Sequence, residues 1–221
     1  MVNHYKPKQR NPDKLLFGAN SNMKIMKFDK VTLEGNHVKL EPLSVAHREE
    51  LIDAISDGEL WNLFFTSVPR IKDIDKFIAN LNTAHLNADG LAFATIDKAS
   101  GKVVGSTRFM KSNFPNKRIE IGGTFIAKSY QKTKINTEAK LLMLTHAFEV
   151  LQLNRVELLT DYLNTKSRNA ILRIGAKEEG ILRNHMVMPD GRVRDSVLFS
   201  IISNEWVGIK QNLSYKLSNQ A

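Results

Sequence analysis

Residues 118–160 decide the fold of this chain, and they read RIEIGGTFIAKSYQKTKINTEAKLLMLTHAFEVLQLNRVELLT. Residues 118–126 are rich in Ile, Thr and Phe, which is typical of a strand. Residues 137–151 carry apolar side chains on two stripes, so a helix formed by them would be buried against a sheet. Residues 156–160 predict a second, short strand. A strand, a helix and a strand in this order predict a parallel pair joined by a right-handed crossover.

The glycine pair Gly122-Gly123 affects which side chains of the first strand share a face. A β-bulge at this pair would re-aim the side chains that follow it. Strict alternation places Ile119, Ile121, Gly123 and Phe125 on one face and Glu120, Gly122, Thr124 and Ile126 on the other.

Further strands and helices are predicted on both sides of this unit. A hairpin is indicated at the end of the chain by the turn signal Pro189-Asp190-Gly191-Arg192. The element order predicts an α/β (mixed α+β) single domain, with a mostly antiparallel central sheet of about seven strands and four flanking helices. The remaining predicted strands are 37–43, 91–96, 102–110, 181–188 and 193–202, and the remaining helices are 44–56, 73–87 and 166–174.

The length and the charge distribution suggest one domain with two extensions. A chain of 221 residues suits a single domain with its own core. Residues 1–30 hold seven Lys or Arg against two Asp, which is more than half of the net charge of +9. We therefore predict a flexible basic N-terminal extension at 1–30, the domain at 31–203, and a C-terminal helical tail at 204–221. A nucleic-acid-binding module that uses the basic extension is a less favoured alternative, because a cluster of charges is more often a solvated tail.

The composition also excludes several classes of site. The chain has no cysteine, which excludes disulfides, thiolate metal sites and a cysteine nucleophile. No apolar run reaches the roughly 18 residues that a membrane-spanning helix needs, and no apolar signal core follows the basic N-terminus. The six histidines show no metal-binding spacing. We expect a cytoplasmic protein with no metal and no membrane partner.

Two segments resemble the GNAT acetyltransferases. Residues 119–131 resemble the coenzyme-binding strand and loop of that family, and Asn164-Thr165-Lys166-Ser167-Arg168 with Arg173-Ile174-Gly175-Ala176 resembles its second signature. Asn136-Thr137-Glu138-Ala139-Lys140 and His146-Ala147-Phe148-Glu149 are similar to the branch that contains ribosomal-protein N-terminal acetyltransferases. The resemblance covers about residues 31–203.

The resemblance implies a binding site for acetyl-CoA, with one departure from the family pattern. The pyrophosphate loop of the family carries two glycines, at the positions that Lys134 and Asn136 occupy here. Asn tolerates a left-handed conformation, whereas Lys does so at a cost; a plain solvated loop is the alternative interpretation. The coenzyme-binding residues that the resemblance implies are Phe125, Ile126, Ala127, Gln131, Lys132, Thr133, Lys134, Ile135, Asn136, Thr137 and Asn164.

Two residues are candidates for catalysis of acetyl transfer. Glu120 is the candidate base, with an ion pair to Arg118 or another cation as its alternative role. Ser167 is the candidate hydrogen-bond donor to the departing sulfur, because the position where the family often has Tyr is Ile171 here. A helix cap is the alternative for Ser167, and a turn residue is the alternative for Asn164.

The implied function is transfer of an acetyl group from acetyl-CoA, as co-substrate, to a primary amine of a protein N-terminus or a small molecule. A non-catalytic acyl-CoA-binding sensor is the second alternative, motivated by the missing loop glycines. His185 and the aromatic residues Trp61, Phe64 and Phe65 are further candidates for the acceptor site, with structural roles as their alternative. Whether the chain is a monomer or a homodimer stays open.

Overall fold

The computed structural model describes residues 28–219, which contain one eight-stranded sheet. The strand order is β1-β2-β3-β4-β5-β6-β8-β7, and every neighbouring pair is antiparallel except β5 with β6. The strands are β1 (Leu33–Glu34), β2 (Val38–Pro42), β3 (Leu91–Asp97), β4 (Val103–Asn113), β5 (Arg118–Ile126), β6 (Arg155–Asp161), β7 (Lys177–Val187) and β8 (Val193–Ile202).

Five α-helices accompany this sheet in the described part of the chain. The long central helix begins at Lys134, three residues earlier than predicted, and continues beyond Thr145 as a π-helical turn to Val150. The helices are α1 (Arg48–Ser56), α2 (Ile74–Leu86), α3 (Lys134–Thr145), α4 (Thr165–Arg173) and α5 (Trp206–Asn219).

The predicted mixed α+β class with one mostly antiparallel sheet is confirmed. The eighth strand, β1, has only two residues, which are too few to produce an alternating pattern. The fifth helix, α5, occupies the segment predicted as a C-terminal helical tail. Its Trp206, Ile209 and Leu213 are buried in the core, because they lie three or four residues apart on one face.

Two hydrophobic clusters cover the two faces of the sheet. The larger lies beneath α3 and α5, and includes Phe93, Phe109 and Phe199 from the strands with Met143 and Leu144 from α3. The smaller lies beneath α1 and α2. We call the side of the sheet covered by α3 and α5 the α3 face, and the side covered by α1 and α2 the α2 face. The domain therefore has three layers, with the sheet in the middle.

The N-terminal boundary differs from the predicted one. Phe28, within the predicted 1–30 extension, is 3% exposed and belongs to the larger cluster. Its ring stacks on Phe109 at 5.8 Å between centroids and lies 5.2 Å from Phe114. The folded domain thus includes Phe28, while residues 1–27 of the predicted extension lie outside the described residues.

A β-bulge interrupts β5 at the glycine pair. Ser106 pairs with Phe125 and Arg108 with Gly122, so Gly123 and Thr124 together oppose the single residue Thr107. Gly123 has a φ of +55°, a left-handed conformation that glycine adopts without strain. The bulge turns Phe125 away from the face of Ile119 and Ile121, where strict alternation would put it. Phe125 packs on the α2 face against Phe77, at 6.1 Å between ring centroids.

Strands β5 and β6 pair over three residues only, from Arg118 with Arg155 to Glu120 with Glu157. Beyond this point β5 pairs only with β4, and β6 pairs only with β8. Residues 121–126 of β5 and residues 158–161 of β6 therefore make no backbone pairing with each other, and the two strands diverge. We call this opening the β5–β6 wedge.

No helix among residues 28–219 combines the length and the apolar composition that crossing a bilayer requires.

Candidate functional site

The β5–β6 wedge exposes backbone hydrogen-bonding groups at the centre of the sheet. The Ala127 N–H donates to the Val104 carbonyl at 2.8 Å, so it points toward β4. Backbone groups in an antiparallel ladder alternate in direction, which sends the Phe125 N–H toward β4 and the Ile126 N–H toward the wedge. The Ile126 carbonyl, also on the wedge side, accepts from Gln131 Nε2 at 2.9 Å. Of the three predicted backbone positions, Ile126 is the one whose N–H faces the opening.

Two helices begin at the open end of the wedge. The chain leaves β5 and enters α3 through residues 127–133, and it leaves β6 and enters α4 through residues 162–164. Because β5 and β6 are parallel, both helix N-termini lie at the same edge of the sheet. The first backbone N–H groups of a helix have no partner within it and carry partial positive charge, which favours an anion.

The loop before α3 does not need the two glycines that it lacks. Lys134 is the first residue of α3 and Asn136 the third, so both have helical backbone conformations. The left-handed residue of the loop is Lys132, with a φ of +64°. Thr133 is the N-cap, and its hydroxyl accepts from the Ile135 N–H at 3.4 Å. The departure from the family pattern therefore puts no strain on Lys134.

The side chains around the α3 N-terminus divide between packing and exposure. Ile135 is 4% exposed and anchors the first turn in the core. The Thr137 hydroxyl accepts a hydrogen bond from Arg173 of α4, which joins the two helices. Lys132 is exposed, and Lys134 is half-buried. These two lysines add positive charge at the end of the helix dipole where an anion is favoured.

Glu120 is buried at the inner end of the wedge, where the pairing of β5 with β6 ends. Its side chain is 6% exposed, and its Oε2 accepts from Lys111 Nζ at 2.8 Å. Lys111 itself is half-exposed. Arg118, the cation considered from sequence, pairs instead with Glu157 at 3.1 Å. Glu120 is therefore an enclosed carboxylate with one cationic partner, and its side chain lies on the α2 face beside Met110 of β4.

The candidate residues of α4 lie in its first turn. The Asn164 Oδ1 accepts from the Ser167 N–H at 3.0 Å, so Asn164 is the N-cap of α4 and Ser167 is the residue that it caps. The Ser167 hydroxyl is half-buried and makes no hydrogen bond to any described residue. Ile171, at the position where the family often has Tyr, is 8% exposed and belongs to the core.

A polar network lies on the α2 face beyond the end of β6. Asp161 is 1% exposed, and it pairs with Arg192 Nη2 at 2.5 Å. The Arg192 guanidinium also lies 5.4 Å from the centre of the Phe64 ring, a cation–π arrangement. The turn between β7 and β8 is thus tied both to β6 and to the loop that follows α1. His185 lies nearby in sequence, and its Nδ1 is 3.0 Å from Ser196 Oγ.

A buried lysine on the other face of the sheet is not among the residues predicted from sequence. Lys140 of α3 is 5% exposed, and its Nζ donates to Thr124 Oγ1 at 2.7 Å and to Thr107 Oγ1 at 3.1 Å. Burial lowers the pKa of Lys140 to about 7. Its position three residues before Met143 and four before Leu144, on the apolar stripe of the predicted helix, was the signal that could have identified it.

Several of the predicted site residues lie around one opening, whereas the N–H groups of Phe125 and Ala127 face β4. Ile126 and the α3 N-terminus line the wedge side of β5, Glu120 closes its inner end, and Ser167 and Asn164 begin α4 on the β6 side. Within residues 28–219, no group of His, Asp and Glu side chains is arranged to hold a metal ion.

Comparisons with known proteins agree with this geometry. A family model described as "Acetyltransferase (GNAT) domain" matches residues 37–177. The crystal structure of a GCN5-related N-acetyltransferase from Brucella melitensis is similar with a TM-score of 0.78 and 34% identity, covering 88% of each chain. "Putative ribosomal N-acetyltransferase YdaF" of Bacillus subtilis (strain 168) is 29% identical over 180 residues, which are 79% of this chain and 96% of the relative. "Uncharacterized N-acetyltransferase p20" of Bacillus licheniformis is 26% identical over 181 residues, 80% of this chain and 99% of the relative.

Proposed function

This chain belongs to the GNAT acetyltransferase family, and we propose that it moves the acetyl group of acetyl-CoA directly to a primary amine. The observation that carries the proposal is the β5–β6 wedge, an opening between parallel strands with two helix N-termini at its mouth. A long, thin ligand that ends in phosphates suits such a site. Its arm can complete the unpaired strand edge, and its phosphates can meet the unpaired N–H groups of a helix.

We assign the phosphates of acetyl-CoA to the N-terminus of α3. The backbone N–H groups of residues 133–136 precede the first complete helical hydrogen bonds, and Lys132 and Lys134 supply the compensating charge. Thr137 would act indirectly, through the Arg173 contact that holds α4 beside α3. Asn164 uses its Oδ1 to cap α4, which leaves its Nδ2 as the donor for an amide carbonyl of the pantetheine arm.

The chemistry that we propose has three parts. The Ile126 N–H polarises the thioester carbonyl, because it is the donor of this segment that faces the wedge. Glu120 accepts the proton of the attacking amine, directly or through a water molecule. Ser167 donates a hydrogen bond to the sulfur as the carbon–sulfur bond breaks. The amine reaches the carbonyl from the α2 face, where the Glu120 side chain lies.

We favour a protein N-terminus as the acceptor. The Bacillus subtilis relative is named a putative ribosomal N-acetyltransferase, and the similarity to this chain covers 96% of its length. The α2 face beyond β6 carries the Asp161–Arg192 pair and the exposed ring of Phe64, which suit polar and apolar contacts with a peptide. An α-amino group with a pKa of about 8 is also easier to deprotonate near neutral pH than a lysine side chain.

The alternative of a non-catalytic sensor loses its motive. That alternative rested on the missing glycines, and neither Lys134 nor Asn136 occupies a backbone conformation that needs glycine. The alternative of a nucleic-acid-binding module rests on the basic extension, of which residues 1–27 lie outside the described residues.

The direct test is thiol release from acetyl-CoA in the presence of a library of peptides that differ in their N-terminal residue, with polyamines and amino acids as the comparison set. We expect slow release from acetyl-CoA alone and a rise of at least tenfold with the correct peptide. Acetyl-CoA should also raise the Tm, because a ligand that binds only the folded protein stabilises it by mass action.

Charge-reversal variants locate the phosphate site. Lys134→Glu should weaken the effect of acetyl-CoA on the Tm, whereas Lys102→Glu, at an exposed position in the β3–β4 loop, should leave it unchanged. No change in Tm at millimolar acetyl-CoA would contradict the proposed function. A higher Tm without turnover on any amine would instead support the sensor.

A further inference from the structure

Lys140 carries a buried amine that has no role in the mechanism proposed above. Its Nζ lies between α3 and the bulge of β5, and its two described hydrogen-bond partners are the hydroxyls of Thr107 and Thr124. No described carboxylate pairs with it. A buried ammonium without an ion pair is costly, so its retention beneath a bulge calls for an explanation.

Thr124 connects this amine to the wedge. Its side chain is exposed, in contrast to Thr107, which is 1% exposed. The bulge at Gly123 and Thr124 rotates the Thr124 side chain toward the α3 face, and the unpaired edge of β5 runs past the same residue. The hydroxyl of Thr124 therefore stands between a buried amine and the opening assigned to acetyl-CoA.

The hydrogen bonds among these groups leave one proton free to turn. Thr107 donates to the sulfur of Met143 at 3.7 Å, so it serves Lys140 and Thr124 as an acceptor. Thr124 accepts from Lys140 and lies 2.8 Å from Thr107 Oγ1. Its own hydroxyl proton can thus point to Thr107 in the free protein and turn to a ligand atom in the wedge.

Other titratable and charged groups around Lys140 are engaged elsewhere. Those of the α2 face, Arg108 and Glu120, are separated from it by the sheet. On the α3 face, Glu138 accepts from the backbone of residues 36–38, and His146 packs against the ring of Phe109. On the adjoining helices, Arg173 donates to Thr137, Lys210 pairs with Glu149, and Lys216 donates to the Arg173 carbonyl. Desolvation is accordingly the cause that lowers the pKa of Lys140.

We propose that Lys140 is the proton donor for the departing thiolate, acting through the hydroxyl of Thr124. This proposal rests on the proposed function. When the tetrahedral intermediate collapses, the carbon–sulfur bond breaks and its electron pair stays on sulfur. Thr124 gives its hydroxyl proton to sulfur and takes one from the Lys140 ammonium, which leaves free CoA thiol and a neutral amine. Lys140 regains a proton from solvent after the products leave, so no further reactant is needed.

Two features of the fold favour Lys140 as this proton donor: the family's usual donor is missing, and burial lowers the pKa of the Lys140 amine. The position of the family's frequent Tyr is taken by Ile171, which is buried and carries no proton to give. The Ser167 hydroxyl can hold the sulfur by a hydrogen bond but has no acid behind it among the described residues. An amine whose pKa lies near 7 is matched to proton donation near neutral pH, as an exposed lysine is not.

The test is the pH dependence of kcat, measured with saturating acetyl-CoA and the peptide acceptor found by thiol release. We expect the wild-type kcat to fall as the pH rises above about 7, because the donor loses its proton, and Lys140→Met to abolish this fall. At pH 7 the kcat of Lys140→Met should be lower by roughly tenfold to a hundredfold. Lys140→Arg keeps the charge but holds its proton, so it should be as slow as Lys140→Met.

A second variant keeps the test independent of whether a core substitution folds. Thr124→Val, at an exposed position, should lower kcat at pH 7 by the same factor as Lys140→Met and should also abolish the fall of kcat above pH 7. Thr124→Ser keeps the hydroxyl, so it should restore both the rate and the fall. The double variant Lys140→Met with Thr124→Val should be no slower than either single variant. The Kd for CoA should stay within a few-fold in all of them. NMR titration of ¹³Cε-labelled lysine, assigned with Lys140→Met, should show Lys140 titrating near pH 7 in the free protein.

The outcomes separate this proposal from the proposed function. A wild-type protein that turns over while its Lys140 and Thr124 variants keep the rate and the fall above pH 7 overturns the proton-donor role alone. Full activity of Lys140→Arg at pH 7 would overturn it in favour of a purely electrostatic role. A wild-type protein that binds acetyl-CoA but acetylates no amine overturns both.

Discussion

At the scale of single residues, the site has a carboxylate and an amine on opposite faces of one strand. Glu120 is buried on the α2 face of β5, where Lys111 is its partner, and the amine of Lys140 meets Thr124 on the α3 face. The strand keeps the two groups from neutralising each other as a direct ion pair. The proposed mechanism uses this separation, because it takes a proton from the acceptor on one side of the thioester and returns one to sulfur on the other.

Replacement of Glu120 by Gln tests the base. Turnover should fall by 10²–10⁴-fold near neutral pH, and the loss should shrink at high pH because the amine then loses its proton unaided. The matched control is Glu157→Gln, since Glu157 is the register partner of Glu120 but is held by Arg118 and Arg155. Rates for both variants across pH 6–9 decide the matter. Full activity of Glu120→Gln near pH 7 would mean that another group or bulk solvent takes the proton.

Replacement of Ser167 by Ala tests the hydrogen bond to sulfur. We expect turnover to fall by roughly tenfold to a hundredfold with little dependence on pH, because a neutral hydroxyl does not titrate in this range. Stability should stay close to wild type, since the N-cap of α4 is Asn164. Asn164→Ala, which removes the cap itself, should cost about 1 kcal/mol of stability. A Ser167→Ala enzyme with wild-type kcat would leave this residue without a catalytic role.

At the scale of elements, one carboxylate fixes α3 to the edge of the sheet. Glu138 accepts backbone N–H bonds from Asn36 at 2.9 Å, His37 at 2.6 Å and Val38 at 2.8 Å. Asn36 and His37 lie in the turn between β1 and β2, and Val38 is the first residue of β2. The three backbone donors satisfy this buried carboxylate by hydrogen bonding. This contact sets the position of α3, and hence of the N-terminus assigned to the phosphates.

Gly35→Ala tests this contact. A Cβ at residue 35 would lie 2.4 Å from the carboxyl carbon of Glu138, so the side chain or the turn must move, at a cost of about 1–3 kcal/mol. Gly208→Ala is the control, because Gly208 lies in α5 with open space around its Cα, and Ala is the better helix former by about 1 kcal/mol. Thermal unfolding should show a lower Tm for the first variant and an equal or higher Tm for the second. Equal Tm values would mean that the turn adapts freely.

At the scale of the whole molecule, two hydrophobic clusters stabilise the two faces of the sheet. The larger joins α3, α4 and α5 to every strand from β2 to β8 except β7. Strand β7 is an exposed edge, with Ile181, Leu182, Met186 and Val187 open on its two faces. The predicted alternative of a homodimer stays a prediction. Phe28 extends the larger cluster beyond the N-terminal boundary expected from sequence.

Two truncations test where the domain begins. Deletion of residues 1–27 should leave the Tm and the binding of acetyl-CoA unchanged, as the predicted extension implies. Deletion of residues 1–30 should lower the Tm, because it also removes the Phe28 ring from its contacts with Phe109 and Phe114. Phe28→Ala in the full chain should cost about 3–5 kcal/mol. A large loss of coenzyme binding in the 1–27 deletion would assign that segment to the site.

The sequence by itself determined most of the architecture of this protein. Strands β5 and β8 begin and end at the residues predicted from alternation and turn signals, and the crossover from β5 through α3 to β6 is parallel as expected. These features depend on short-range order, since periodicity and turn residues act within a few positions of the chain. The placement of Glu120 at the centre of the sheet followed from the same unit.

Only the tertiary structure decided which atoms face the wedge. The bulge at Gly123 turned Phe125 to the α2 face and Thr124 to the α3 face, and the ladder with β4 left Ile126 as the open donor. In the sequence, Lys140 is only a polar residue within an apolar stripe. Its contact with Thr124, 16 residues earlier in the chain, forms only when α3 packs against the bulge. Such pairings join residues distant in sequence, and their geometry depends on packing and register, which no local pattern records.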